Sequence, residues 1–199
     1  MKNLLTHFSA LLLLLIGSSS YSQEIKTLWD IEVETASKQA ETLFDAPLGA
    51  TVITNEEIVN SGATNIMEAL RLVPGVIVRE TTPGNYDIHI RGYDAIDPNA
   101  IITLTSNTTT LIMVNNRPVY SEFQGQTYWE LLHIGIDDVE KIEVVRGPAS
   151  AMYGSNAVTG VINILTREPD QEEKEGFYAS TYSQTGNYNT ILANAAVGY

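Results

Sequence analysis

The residue types that usually carry chemistry are sparse in this chain, and those present are poorly spaced for it. None of the 199 residues is cysteine, which removes disulfides, thiolate zinc sites, iron–sulfur ligation and cysteine nucleophiles. The three histidines include His89 and His133, and neither has a second ligand at metal-binding spacing. Each reads as a strand-face or helix-surface residue. The glycines between Arg146 and Gly160 invite comparison with a phosphate cradle. They lack the Lys-Ser/Thr of a Walker loop and the long βαβ unit of a dinucleotide site. Ser150 and Ser155 have no nucleophile-elbow context. No enzyme, no catalytic residue, no metal site and no cofactor is expected.

Charge narrows the field. With 11 Lys plus Arg against 24 Asp plus Glu the net charge is −13, the wrong sign for a phosphate backbone, so no nucleic-acid partner is expected. Apolar residues make up 44% of the chain, enough to supply a core. The start of the chain stands apart: a basic Met1-Lys2-Asn3, an apolar Phe8 to Ile16 holding five consecutive leucines, and a small polar Gly17 to Ser22. This predicts a secretory signal peptide over residues 1–22, cleaved before Gln23. Its apolar run is shorter than the about 20 residues of a membrane helix. The later runs Ile101-Ile102, Leu111 to Val114 and Val161 to Leu165 are strand-sized, so no helical membrane span is expected. After the signal, every Lys, Arg, Asp and Glu lies within residues 23–175.

The elements follow from pattern. Residues 24–50 are acidic with few periodic apolar positions and are expected to form an extended, mobile arm ending at Pro47. A strand is predicted from Ala50 to Ile53. Thr54 ahead of Asn55-Glu56-Glu57 is a capping box that starts a helix, interrupted at Ser61-Gly62. Ile66, Ala69, Leu70 and Val73 recur at helical offsets, and Val73-Pro74-Gly75 stops that second helix. Val76 to Arg79 and Tyr86 to Arg91 read as strands, the latter with Tyr86, Ile88 and Ile90 on one face and Asp87, His89 and Arg91 on the other. Leu111 to Val114 and Arg117 to Tyr120 flank Asn115-Asn116, which tolerates the left-handed backbone of a type I′ turn, so a hairpin is predicted. Trp129, Leu131 and Leu132 are assigned to the core. Lys141 to Arg146 is a strand with Ile142 and Val144 on one face, ended by Gly147-Pro148. Ala149 to Tyr153 is a helical turn closed by Gly154, and Gly160 to Thr166 a last strand before the charged Arg167 to Glu175. Short strands and short helices of this kind do not make a doubly wound fold.

Gly176 to Tyr199 carries no charge. Phe177 to Gln184 is strand-like, Thr185-Gly186-Asn187 a turn, and Ile191, Ala193, Ala195, Val197 and Tyr199 alternate against Thr190, Asn194 and Gly198. Strands that meet hydrocarbon on one side look like this. So does a hairpin of a secreted β-sandwich.

Ala46-Pro47 followed by Val52-Ile-Thr-Asn-Glu-Glu-Ile58, Ser61-Gly62-Ala63, Glu68-Ala-Leu-Arg71 through Val73-Pro-Gly-Val76, and Ile88-His-Ile-Arg-Gly92 stand in order along the chain. Val139-Glu-Lys-Ile-Glu-Val-Val-Arg-Gly-Pro-Ala-Ser-Ala-Met-Tyr-Gly154 comes next, continuing through Asn156-Ala157 to Gly160-Val-Ile-Asn-Ile-Leu-Thr166. Together they resemble the plug domain of TonB-dependent outer-membrane receptors. The resemblance implies an α/β (α+β) plug domain with short mixed strands and short helices, followed by the first antiparallel hairpin of an incomplete transmembrane β-barrel. The implied layout is a signal peptide at 1–22, an N-terminal arm at 23–46, the plug at 47–169, a linker at 170–175 and the start of the barrel at 176–199. It also implies import of a scarce nutrient (siderophore, haem, cobalamin or similar) across the outer membrane of a Gram-negative bacterium, with the plug inside the barrel and the arm in the periplasm. The implied partners are TonB, an extracellular small ligand such as a metal chelate, and outer-membrane lipid through the full barrel.

Site residues follow from the same resemblance. The best match to a TonB box is Asp30-Ile31-Glu32-Val33-Glu34-Thr35-Ala36, an arm that can add as a strand to a partner's sheet edge. An ordinary first strand is the other reading of that stretch. Arg91, Glu143 and Arg146 correspond to a polar cluster that holds the plug against acidic groups of the barrel wall. Tyr93, Asp94, Asp97, Tyr120 and Phe123 are candidates to face ligand. Two departures stand out: Asn115-Asn116 replaces the usual Asp-Gly, and Ala95 to Thr110 is a long excursion poor in charge. The charge-free tail offers two membrane crossings at most, whereas a plugged barrel of about 22 strands needs on the order of 220 residues in strands. Further protein is therefore expected beyond Tyr199. The alternative is a free-standing periplasmic plug-like binding module without transport activity.

Overall fold

The computed structural model describes residues 31–167 apart from 44, 47, 83, 93–107, 122 and 124, together with 178–187 and 191–198. The signal peptide, Asp30, Pro47, Tyr93, Asp94, Asp97, the linker at 170–175 and Tyr199 lie outside the described residues.

Alternating apolar residues build a central sheet of five strands: β3 (Gly49–Thr54), β6 (Thr110–Val114), β7 (Arg117–Pro118), β8 (Val139–Arg146) and β9 (Gly160–Thr166), in the order β3-β8-β9-β6-β7. Only β6 and β9 run parallel; the other pairs are antiparallel. One face of the sheet, carrying Ile53, Ile112, Ile142, Val144, Ile162 and Ile164, packs on the helices and on a separate hairpin of β4 (Val76–Thr82) and β5 (Asn85–Ile90). Val52, Leu111, Met113, Val145 and Val161 line the opposite face. This is the mixed α/β arrangement of short elements that the resemblance implies.

The local signals explain the helices. Thr54 accepts from the Glu57 amide while Glu57 reaches back to the Thr54 amide, and Gly62 closes the helix Asn55–Ser61 in the left-handed conformation. The next helix, Ile66–Ala69, tightens into a 3-10 turn over Leu70–Leu72, and its Ile66, Ala69, Leu70 and Val73 are buried at the predicted positions. Both residues of Asn115-Asn116 have positive φ, as a type I′ hairpin requires. Trp129 is buried, but Leu131 is 63% exposed, which corrects its assignment to the core. The segment Trp129–Leu131 is a single 3-10 turn, too short for a continuous apolar stripe.

The arm is also corrected. From Ile31 onward it is folded, not extended and mobile: β1 (Glu32–Val33) pairs with β2 (Glu41–Thr42), and Val33 and Ala36 are fully buried on the second face of the sheet. A final antiparallel pair, β10 (Tyr178–Thr185) and β11 (Ile191–Gly198), presents Ile191, Ala193, Ala195 and Val197 on one exposed face.

Candidate functional site

Alternation sorts the arm. Glu32 and Glu34 point to solvent while Val33 and Thr35 point inward, so the two glutamates that would be costly inside are not inside. Val33 and Ala36 are modest in apolar area, on the order of 2 kcal/mol together. Polar contacts therefore decide how firmly the arm is held, and they occupy both of its backbone edges. On one edge lies β2, with the Leu43 amide donating to the Ile31 carbonyl at 3.1 Å. On the other, Lys141 Nζ donates to the Glu32 carbonyl at 3.1 Å. There too the amides of Glu34 and Thr35 donate to Glu143 Oε2 at 3.1 and 2.9 Å.

Glu143 is the hub. Its Oε2 also accepts from the Thr35 hydroxyl at 2.6 Å, and its Oε1 pairs with Lys141 Nζ at 2.8 Å. Asn163, opposite Glu143 in the β8–β9 ladder, donates through Nδ2 to Thr35 Oγ1 at 3.1 Å. The Tyr153 hydroxyl donates to the Thr35 carbonyl at 2.9 Å, and Lys38 Nζ lies 4.7 Å from the centre of the Tyr153 ring. Burial raises the Tyr153 phenol above its usual pKa, and the negative charges of Glu143 and Glu34 push the same way. The phenol thus stays a donor.

Glu143 does not join the two arginines. Glu143 and Arg146 stand three positions apart along β8, and a strand's period of two sends them to opposite faces. The structure brings the arginines together instead at the Pro74-Gly75 turn. There Arg146 Nη1 donates to the Pro74 carbonyl at 2.9 Å, and the Arg91 amide donates to the Gly75 carbonyl at 2.7 Å. The Arg91 side chain passes beside Gly49, the ladder partner of Arg146. Arg91 itself holds φ at 57°, a conformation that costs a non-glycine residue energy and aims this side chain along the sheet end.

Of the ligand-facing candidates, Tyr120 and Phe123 are described and share one turn. The Tyr120 hydroxyl folds over Gly125, and Phe123 projects from the turn at 93% exposure. Sequence reasoning missed two buried polar groups. On β5, Asp87 is bonded by Arg79 and lies 2.7 Å from His89 Nε2; Asp87 and His89 were assigned to one face, and that was the available signal. Asn163 inside an apolar strand gave none. Among the described residues no group of His, Asp or Glu is placed to hold a metal ion.

Residues 42–161 match the TonB-dependent Receptor Plug Domain family. The chain is 31% identical over 178 residues to an iron-regulated outer membrane virulence protein of Vibrio cholerae, covering 86% of this chain and 25% of that protein. It is 29% identical over 155 residues to a vitamin B12 transporter of Vibrio vulnificus, covering 77% of this chain and 23% of the other. Among solved structures, a variant of the ferric enterobactin receptor of Pseudomonas aeruginosa superposes with a TM-score of 0.55 at 27% identity, over 84% of this chain and 24% of that one. The chain thus spans about a quarter of the length of the curated relatives it matches.

Proposed function

This chain belongs to the TonB-dependent receptor plug family, and on that premise we propose that it is the plug region of an outer-membrane receptor that binds a scarce extracellular nutrient and imports it with energy from TonB. The nutrient is a small ligand such as a metal chelate, with ferric siderophore, haem and cobalamin as the classes to test. Residues 1–22 act as the export signal, 23–46 as the arm, 47–169 as the plug, 170–175 as the linker and 176–199 as the start of the barrel wall. No bond is made or broken in the plug.

The observation that carries this reading is the position of the arm. Ile31 to Ala36 ends a few residues before the family match begins at 42, and it is held on the sheet by a small set of polar contacts. A strand held that way can be exchanged for a strand of a periplasmic partner, since both of its edges are occupied by bonds that a partner's backbone can replace. Ligand bound outside shifts the population towards the released arm, and TonB engages the arm once it is free. In this scheme Arg91 and Arg146 face acidic groups of the barrel wall, and Tyr120 and Phe123 face the ligand side together with Tyr93, Asp94 and Asp97. The test is deletion of residues 30–36 in the full-length receptor. Energised uptake is expected to be lost with surface binding retained; uptake at the wild-type rate would remove the arm from the scheme.

A further inference from the structure

We infer that Asn116 is a positioning residue for the N-terminal arm: through Asn163 it fixes the direction of the hydrogen bonds that latch Thr35 to Glu143. The latch is read from contacts alone, and it rests on the proposed function only for the identity of the partner that takes the arm.

The turn itself does not need an asparagine side chain at 116. At φ 63° a glycine would serve the backbone at least as well. Yet the side chain is used. Asn116 Oδ1 accepts from Asn163 Nδ2 at 2.8 Å, and the Asn116 amide donates to Asn163 Oδ1 at 3.2 Å. Asn163 is fully buried, and these two bonds fix its carboxamide with Oδ1 on the Asn116 amide and Nδ2 turned to both Asn116 Oδ1 and the arm. Both protons of Nδ2 are then spent, one on Asn116 and one on Thr35 Oγ1.

That orientation has a consequence for Thr35. A hydroxyl that accepts from Asn163 has its own proton free, and it gives that proton to Glu143 Oε2. Turned the other way, Asn163 would offer an oxygen to Thr35 and compete with Glu143 for the same proton. The Asn116 amide, the Asn163 carboxamide, the Thr35 hydroxyl and Glu143 therefore form a one-way chain of donors and acceptors ending on a carboxylate, and Asn116 Oδ1 holds that chain in place by accepting the other Nδ2 proton of Asn163. It runs from the β6–β7 turn across the second face of the sheet to the arm. A change at the turn changes the hold on the arm without touching it.

Asn116→Gly removes the Oδ1 acceptor but keeps the left-handed turn and the amide that donates to Asn163 Oδ1, so one of the two bonds that orient Asn163 is lost. One buried hydrogen bond corresponds to about a three- to tenfold change in the released population. The readout is thiol labelling of Ala36→Cys, buried in the docked arm, in the intact receptor purified in detergent. Asn116→Gly is expected to speed labelling by that factor, and Asn116→Asp, which keeps an acceptor, to bring it back to within about twofold. Ala69→Cys, equally buried in the core behind the other face of the sheet, should label no faster. Unchanged labelling at Ala36→Cys, or equal acceleration at both positions, would overturn the latch. Titration with the periplasmic domain of TonB separates the two claims. Tighter binding by Asn116→Gly supports both, whereas faster labelling with unchanged TonB affinity keeps the latch and removes the partner.

Discussion

Asp87 shows what a single buried charge does in this plug. It has no exposed surface, and burial alone would raise its pKa. The hydrogen bonds from His89 and Arg79 outweigh that and hold the carboxyl below its ordinary 3.8. Because the folded value lies below the unfolded one, Asp87 stabilises the fold in full above about pH 4. That contribution is lost as pH falls through the lowered folded value. Asp87→Asn is expected to cost about 1.5–3 kcal/mol at neutral pH, since it takes the anion away from both partners. It should also flatten the decline in stability below pH 4, measured by urea unfolding across an acid series. A variant with the wild-type acid limb would show that Asp87 is not the group being titrated. At this scale the sequence was partly legible. The odd spacing of Glu143 and Arg146 already placed them on different faces, a signal the resemblance overrode. Asn163, a lone amide in an apolar strand, becomes interpretable only when Thr35 and Asn116 arrive beside it from distant parts of the chain.

At the scale of elements, propensity and packing agree wherever the signal is local. The capping box at Thr54, the left-handed Gly62 and the type I′ Asn115-Asn116 turn each form where three or four adjacent residues specify them. The arm was illegible because its burial depends on β8 and β9, more than a hundred residues away. Gly160 is the element-scale case in which packing, not conformation, demands glycine. It opens β9 at the point where β8 and the β4–β5 hairpin close on it. An added Cβ would lie 2.2 Å from the Val145 carbonyl oxygen and 2.8 Å from Ile90 Cδ1. The nearer atom is backbone in the middle of the sheet and cannot swing away. Gly160→Ala should therefore cost about 1–3 kcal/mol, at the upper end of that range, and lower the thermal midpoint accordingly. A neutral result would mean that the β8–β9 ladder slides more freely than its register indicates.

The plug is a sheet with two unequal coats. One face carries the helices, the β4–β5 hairpin and a continuous row of isoleucines; the other carries a short arm whose apolar contribution is slight and whose grip is polar. Apolar burial of the first kind is cooperative, because every large side chain touches several others, so that face opens only with global unfolding. The second kind is local: releasing Ile31 to Ala36 breaks the contacts to Glu143, Lys141, Asn163 and Tyr153 and leaves the isoleucine face intact. Two opening free energies are expected from one domain. In hydrogen exchange of the intact receptor, the amides of Glu34 and Thr35 should exchange at least tenfold faster than those of Ile162 and Ile164 in β9. Glu143→Gln, which weakens the charge-assisted bonds at the hub, should speed the arm amides again while leaving β9 unchanged. Equal exchange at both places would make arm and sheet a single cooperative unit. A plug built that way would have to unfold before its arm could leave, whereas contacts confined to the arm predict that it leaves first.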